Sequence, residues 1–237
     1  MSFPPELLAL GLLFIFGTII FLIIRISRRQ KVDQDNQLHQ LGFRALESPP
    51  LELERRVEEL CRPGGDQEVT LRQVYHRREL DQDLYLFDAA DIHGENSELG
   101  SEIFGLISSQ LALPRFSLVT LPDFDRESLI GGLMDKLLDK AMSYAEKHLQ
   151  LQRIEFPNRP ELDDKVVLFG QDPAAVREML DRVGLSAFRT DDLPVQIDGR
   201  GDFLTADFST GKSLNQPGQD LASRYQTFIQ IARRFME

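Results

Sequence analysis

The chain has 237 residues, with 27 Lys and Arg against 38 Asp and Glu, and so a formal charge of -11 near neutral pH. A surface that acidic repels phosphate backbones, which excludes nucleic acid as a natural ligand. Cys61 is the one cysteine, which excludes an intrachain disulfide.

The first predicted element is apolar. Leu7 to Ile24 contains no charged residue. At about 1.5 Å of rise per residue it would reach roughly 27 Å, close to the hydrocarbon thickness of a bilayer. Leu7, Leu10, Leu13, Phe14, Ile20, Phe21 and Ile24 would be its anchoring side chains. Glu6 precedes the run, while Arg25, Arg28, Arg29 and Lys31 follow it. A cleaved signal peptide carries the opposite order, with positive charge first. Lys and Arg favour the cytoplasmic side of a membrane span. The sequence therefore predicts an uncleaved single-pass anchor over residues 1–31, with the N-terminus outside and the C-terminal domain in the cytoplasm. The lipid bilayer would be a partner through residues 7–24. With Glu6 against those four cations, residues 1–31 are +3, which leaves -14 for the remainder of the -11 chain.

Residues 32–40 (VDQDNQLHQ) are polar and aperiodic and read as a linker. Residues 41–237 then form the soluble domain, with a candidate subdivision near 151–160. Ser48, Pro49 and Pro50 open a helix whose apolar stripe is Leu53, Val57, Leu60 and Cys61, and Pro63, Gly64 and Gly65 stop it. Cys61 on that stripe reads as a small buried hydrophobe. The period then changes to two. Val69 to Tyr75 and Leu84 to Ala89 alternate as strands about a turn at Arg78–Gln82. His93–Gly100 reads as a hairpin loop, Ile103 to Leu113 as a third strand, and Phe116 to Leu121 as a fourth. That meander order predicts an antiparallel sheet. Glu127 to Gln150 is the longest helical pattern, with apolar rows Leu129/Leu133/Leu137 and Met134/Leu138/Ala141/Ala145. Lys165 to Phe169 is strand-like. Asp172 and Pro173 start a helix on Val176, Met179, Leu180 and Val183, closed by Gly184. Val195–Ile197 and Phe203–Phe208 read as a hairpin across Asp198–Gly201, and Leu221 to Phe235 as a last helix. The fold class expected is α+β: one N-terminal transmembrane helix, then a soluble domain with antiparallel sheet or sheets and appended helices.

Leu84-Tyr85-Leu86-Phe87-Asp88, a polar hairpin loop, and Leu113-Pro114-Arg115-Phe116-Ser117-Leu118 follow one another in a pattern that has a parallel. Pro160-Glu161-Leu162, Val167 to Asp172 and Ala175 to Leu180 continue it. The arrangement resembles a family of uncharacterised bacterial single-pass membrane proteins with an "LFDY…LPxFxL" strand–hairpin–strand region. The likeness spans roughly residues 41–208, with Ala89 where that pattern has tyrosine. It implies a bacterial inner-membrane location and no particular chemistry.

Motifs for catalysis are incomplete. Gly211-Lys212-Ser213 lacks the earlier glycine and the following helix of a phosphate-binding loop, since position 206 is alanine and Pro217 interrupts. His39, His76, His93 and His148 fall at no metal-ligand spacing. No G-x-S-x-G is present. Asp88, Asp91, Glu95 and Glu98 crowd one loop, and oxygen-rich loops can hold calcium, but without the spacing of a known calcium loop. The sequence accordingly points to a non-enzymatic, membrane-anchored domain acting through protein–protein contacts, such as an accessory or assembly subunit of a membrane complex. Its partner would be another membrane protein, and it would need no cofactor, metal or catalytic residue. Met134, Leu138, His93 and Glu95 are its candidate interface. The alternatives are a membrane-tethered small-molecule sensor with an apolar pocket, and a metal-dependent hydrolase or calcium-binding module on the Asp88–Glu98 acids.

Overall fold

A computed structural model of the chain describes residues 34–61, 69–90, 102–121, 150–155, 166–184, 194–208 and 220–237, apart from the side chains of Cys61 and Ala90. It divides into two units, residues 1–43 and residues 44–237. In the first, residues 34–40 form a helix, α1, where the polar composition predicts a linker. Gly42 then takes φ +84°, and the Phe43 N–H closes the turn onto the Leu38 carbonyl at 2.9 Å. Glycine pays no Cβ penalty for that left-handed step.

The second unit is built on strands β1 (Arg44–Ala45), β2 (Thr70–Glu79), β3 (Gln82–Ala90), β4 (Ile103–Ser108), β5 (Leu113–Thr120), β6 (Gln152–Ile154), β7 (Val166–Gly170), β8 (Gln196–Gly201) and β9 (Phe203–Asp207). Its described helices are α2 (Leu51–Cys61), α3 (Pro173–Val183) and α4 (Leu221–Met236). The nine strands make one sheet in the order β1-β2-β3-β4-β9-β8-β5-β7-β6, with every pairing antiparallel. Only β2-β3-β4 is a meander. The β8–β9 hairpin then inserts between β4 and β5, which would otherwise be neighbours.

Register assigns each side chain to a face. Leu86, Phe104, Ala206, Ile197, Leu118, Leu168 and Ile154 lie opposite one another across seven strands, from β3 to β6. All seven are buried. Helices α3 and α4 cover this face. The Phe104 ring stacks on Phe228 and meets Phe208 edge-on, and Phe116 stacks on Phe235. Aromatic pairs in these geometries add to the burial term. Val176 of α3 sits where a Cβ on Gly170 would fall, 2.7 Å away, so glycine there lets helix and strand close up. Helix α2 covers the opposite face: Leu53 and Val57 pack with Leu71, Val74, Tyr85, Phe87, Ile103 and Phe203.

These observations correct several expectations. Among the described residues no helix is long and apolar enough to cross a membrane. The longest, α4, has 16 residues and carries Arg224, Arg233 and Arg234, so it is both too short and too charged. The single-pass reading, its inner-membrane location and a fold class that includes a membrane helix are therefore set aside. The run Leu7 to Ile24 on which they rested lies outside the described residues. The first four predicted strands were expected in meander order; among the described residues the strands form one nine-stranded sheet in which β9 and β8 separate β4 from β5. The third strand ends at Ser108 rather than Leu113, and β5 starts at Leu113. Pro114 is tolerated in β5 because the β5–β8 register is broken between Leu113 and Phe116. Helix α2 begins at Leu51, directly after Pro50, so Ser48 does not cap it. Residues 198–201, read as a loop, belong to β8.

Candidate functional site: a polar strip beside helix α2

The face under α2 is not uniformly apolar. Tyr85, Gly105, Thr205, Asp198, Ser117, Phe169 and Arg153 lie in one row across seven strands. Its left end belongs to the α2 cluster. Near its right end Phe169 joins Leu151 and Val167 in a separate small core. Between the two apolar regions the strands β9, β8 and β5 carry polar side chains. Thr205 and Ser117 are buried among them, and Arg115 two residues before Ser117 is only 6% exposed.

Hydrogen bonds tie the strip together. Gln196 donates from Nε2 to both carboxylate oxygens of Asp198, at 2.9 and 3.1 Å, and to Ser117 Oγ at 3.4 Å. Two arginines reach from the strip to the last turn of α2. Arg115 donates to the Leu60 carbonyl and Arg200 to the Glu59 carbonyl, each at 3.0 Å. Carbonyls at a helix C-terminus have no intrahelical donor and carry the negative end of the helix dipole, so guanidinium groups suit them on both counts. Arg56, earlier in α2, donates from one terminal nitrogen to Asp202 at 2.7 Å and to Glu52 at 3.1 Å.

At the N-terminal end of α2 the sheet holds Tyr85. Burial is the main reason its phenol is pushed up to about 12, and the nearby carboxylates of Asp83 and Glu52 add to it. His76 stacks on the Tyr85 ring with centroids 4.9 Å apart, and its Nε2 hydrogen-bonds Asp83 Oδ1 at 2.8 Å. The imidazole therefore has one nitrogen engaged by a carboxylate and one ring face covered. Among the described residues no three His, Cys, Asp or Glu side chains group to hold a metal ion.

Among the described residues, Leu51 and Leu80 are the large apolar side chains left exposed, at 84% and 91%. Leu80 stands at the β2–β3 turn with φ +53°. Glycine or asparagine is at ease there, whereas a bulky side chain in that region is an outlier.

The residues singled out from the sequence fall elsewhere. Leu7, Leu10, Leu13, Phe14, Ile20, Phe21, Ile24, Arg25, Arg28, Arg29 and Lys31 lie outside the described residues, as do Met134, Leu138, His93 and Glu95. The strip was missed for a specific reason. Gln196-x-Asp198-x-Arg200 alternates as a strand should, but Asp-Gly-Arg-Gly reads locally as turn residues.

No family model matches the chain, and no curated protein matches it. Among solved structures, the crystal structure of the mycobacterial trehalose monomycolate transport factor A is similar over 84% of this chain and 87% of that one. The sequence identity is 12% and the TM-score 0.47. At that level of likeness no residue of this chain takes a role from that protein.

Proposed function

We propose that the chain is a non-catalytic protein that works by contact with another protein, in an accessory or assembly role. The observation that carries this reading is Leu80. A nearly fully exposed leucine held in left-handed backbone costs the fold on the order of 1–2 kcal/mol and gains no burial in return. Residues that break a local rule in this way concentrate where a surface has a task beyond folding. Leu51, at the first position of α2, is a second exposed apolar side chain in the same unit. The polar strip supports the reading from the other side. Its amide, carboxylate and guanidinium groups bond to one another and to the end of α2, which is how structural polar groups behave.

The test uses the full chain purified from its native host under mild conditions, beside a Leu80→Asn variant. Wild type is expected to carry a partner at fixed stoichiometry and the variant to lose it. The variant's melting temperature should stay level or rise, because asparagine tolerates the left-handed backbone. Wild type that elutes with no partner would overturn the reading. So would a partner held equally well by wild type and by a Leu51→Ser, Leu80→Asn double variant.

A further inference from the structure

We infer that α2 is a strap: it lifts from the sheet as a unit while the sheet and the α3–α4 layer stay folded, and it uncovers the apolar floor beneath it. The inference stands apart from the identity of any partner. It rests on how differently the helices are held. Helix α4 buries Leu221, Tyr225, Phe228, Ile231, Ala232 and Phe235, and α3 buries Val176, Met179, Leu180 and Val183. The described buried side chains of α2 are Leu53 and Val57, with Leu60 half-buried beside them. Apolar burial sets most of what holds a helix to a sheet, so α2 has the smallest share among the described side chains.

Arginine contacts make up the difference. Arg56 reaches Asp202, Arg115 reaches the Leu60 carbonyl, and Arg200 reaches the Glu59 carbonyl. Arg200 also lies 4.0 Å from the Glu59 carboxylate. Such contacts are directional and, where solvent reaches them, weakened by salt, whereas apolar burial is neither. The floor that opens is Tyr85, Phe87, Ile103 and Phe203, continuous with Val74 and Leu71.

Hydrogen exchange read by mass spectrometry on the full chain tests this. Peptides from α2 are expected to exchange faster than those from β4 and β9, and to speed up as NaCl rises from about 0.05 M to about 0.5 M, which shortens the Debye length several-fold. Arg200→Gln, or Asp202→Asn should the first fold poorly, is expected to raise α2 exchange about tenfold, the size of one charged hydrogen bond. Exchange in β4 and β9 should not change. Protection of α2 equal to that of β4 and β9 in the wild type would overturn the strap. A variant that speeds α2, β4 and β9 by the same factor would overturn it too, since α2 would then open only with the whole fold.

Discussion

Tyr85 shows how one side chain couples the sheet to the helix above it. Its phenol is neutral under α2, and burial first, then Asp83 and Glu52, opposes ionisation, pushing it up to about 12. An unfolded chain would ionise the same group near 10. For an acid whose folded value is raised, the stabilisation is fully present below the unfolded value and is lost as pH climbs through the folded one. The protein should therefore lose stability between about pH 10 and pH 12. Tyr225 is raised too, chiefly by burial, though Arg77, whose guanidinium lies 5.7 Å from its ring centroid, pulls it back down. A Tyr85→Phe variant should show a shallower alkaline decline in denaturant midpoint than wild type, with the Tyr225 share remaining. Equal slopes for the two proteins would show that Tyr85 does not feel the cover of α2. None of this is legible in the sequence, where Tyr85 is one residue of an alternating strand. Its environment comes first from burial, then from Asp83 two residues before it on β3, and from Glu52, which the fold brings to it from α2.

At the scale of elements, local chemistry carries far. Asp172 accepts hydrogen bonds from the Ala174 and Ala175 amides, at 3.0 and 3.2 Å, and Pro173 fills the first helical position. The Gly184 N–H then closes α3 onto the Leu180 carbonyl at 3.0 Å. These are the start and stop residues that the sequence offers, and each works within four residues of itself. Asp172→Ala should cost about 1 kcal/mol in urea unfolding, as loss of an N-cap typically does. A change near zero would mean that solvent caps the helix as well as the carboxylate does. The two shortest strands were not legible. Arg44–Ala45 and Gln152–Ile154 are too short to show a period of two, and exist because β2 and β7 present an edge to them. Residues 34–40 misled in the opposite sense: their polar composition reads as linker, yet they are helical.

In the whole molecule, the sheet is continuous because β8 and β9 stitch its two halves together. Gly199 is the point where this is tightest. A Cβ there would lie 2.3 Å from Phe116 Cε1, and Phe116 itself stacks on Phe235 of α4. Gly199→Ala should therefore destabilise by roughly 1–3 kcal/mol, the usual cost of overfilling a packed core. A Phe116→Leu change made together with it should recover part of the loss. An alanine that costs nothing would mean that the ring has room to turn aside.

The sequence by itself determined the acidic character, the period of β2 and β3, the face and caps of α3, and the presence of α4. Those depend on side chains within a turn or two of one another. Only the tertiary structure decided which strands are neighbours. Loop closure depends weakly on length, so no local signal says that β4 will pair with β9 rather than β5. The same holds for the polar strip: Ser117, Asp198 and Thr205 become one surface because β5 and the β8–β9 hairpin, distant from it in sequence, align in register. Arg115 and Arg200 find the end of α2 for that reason as well, and what the molecule can bind or release follows from that alignment.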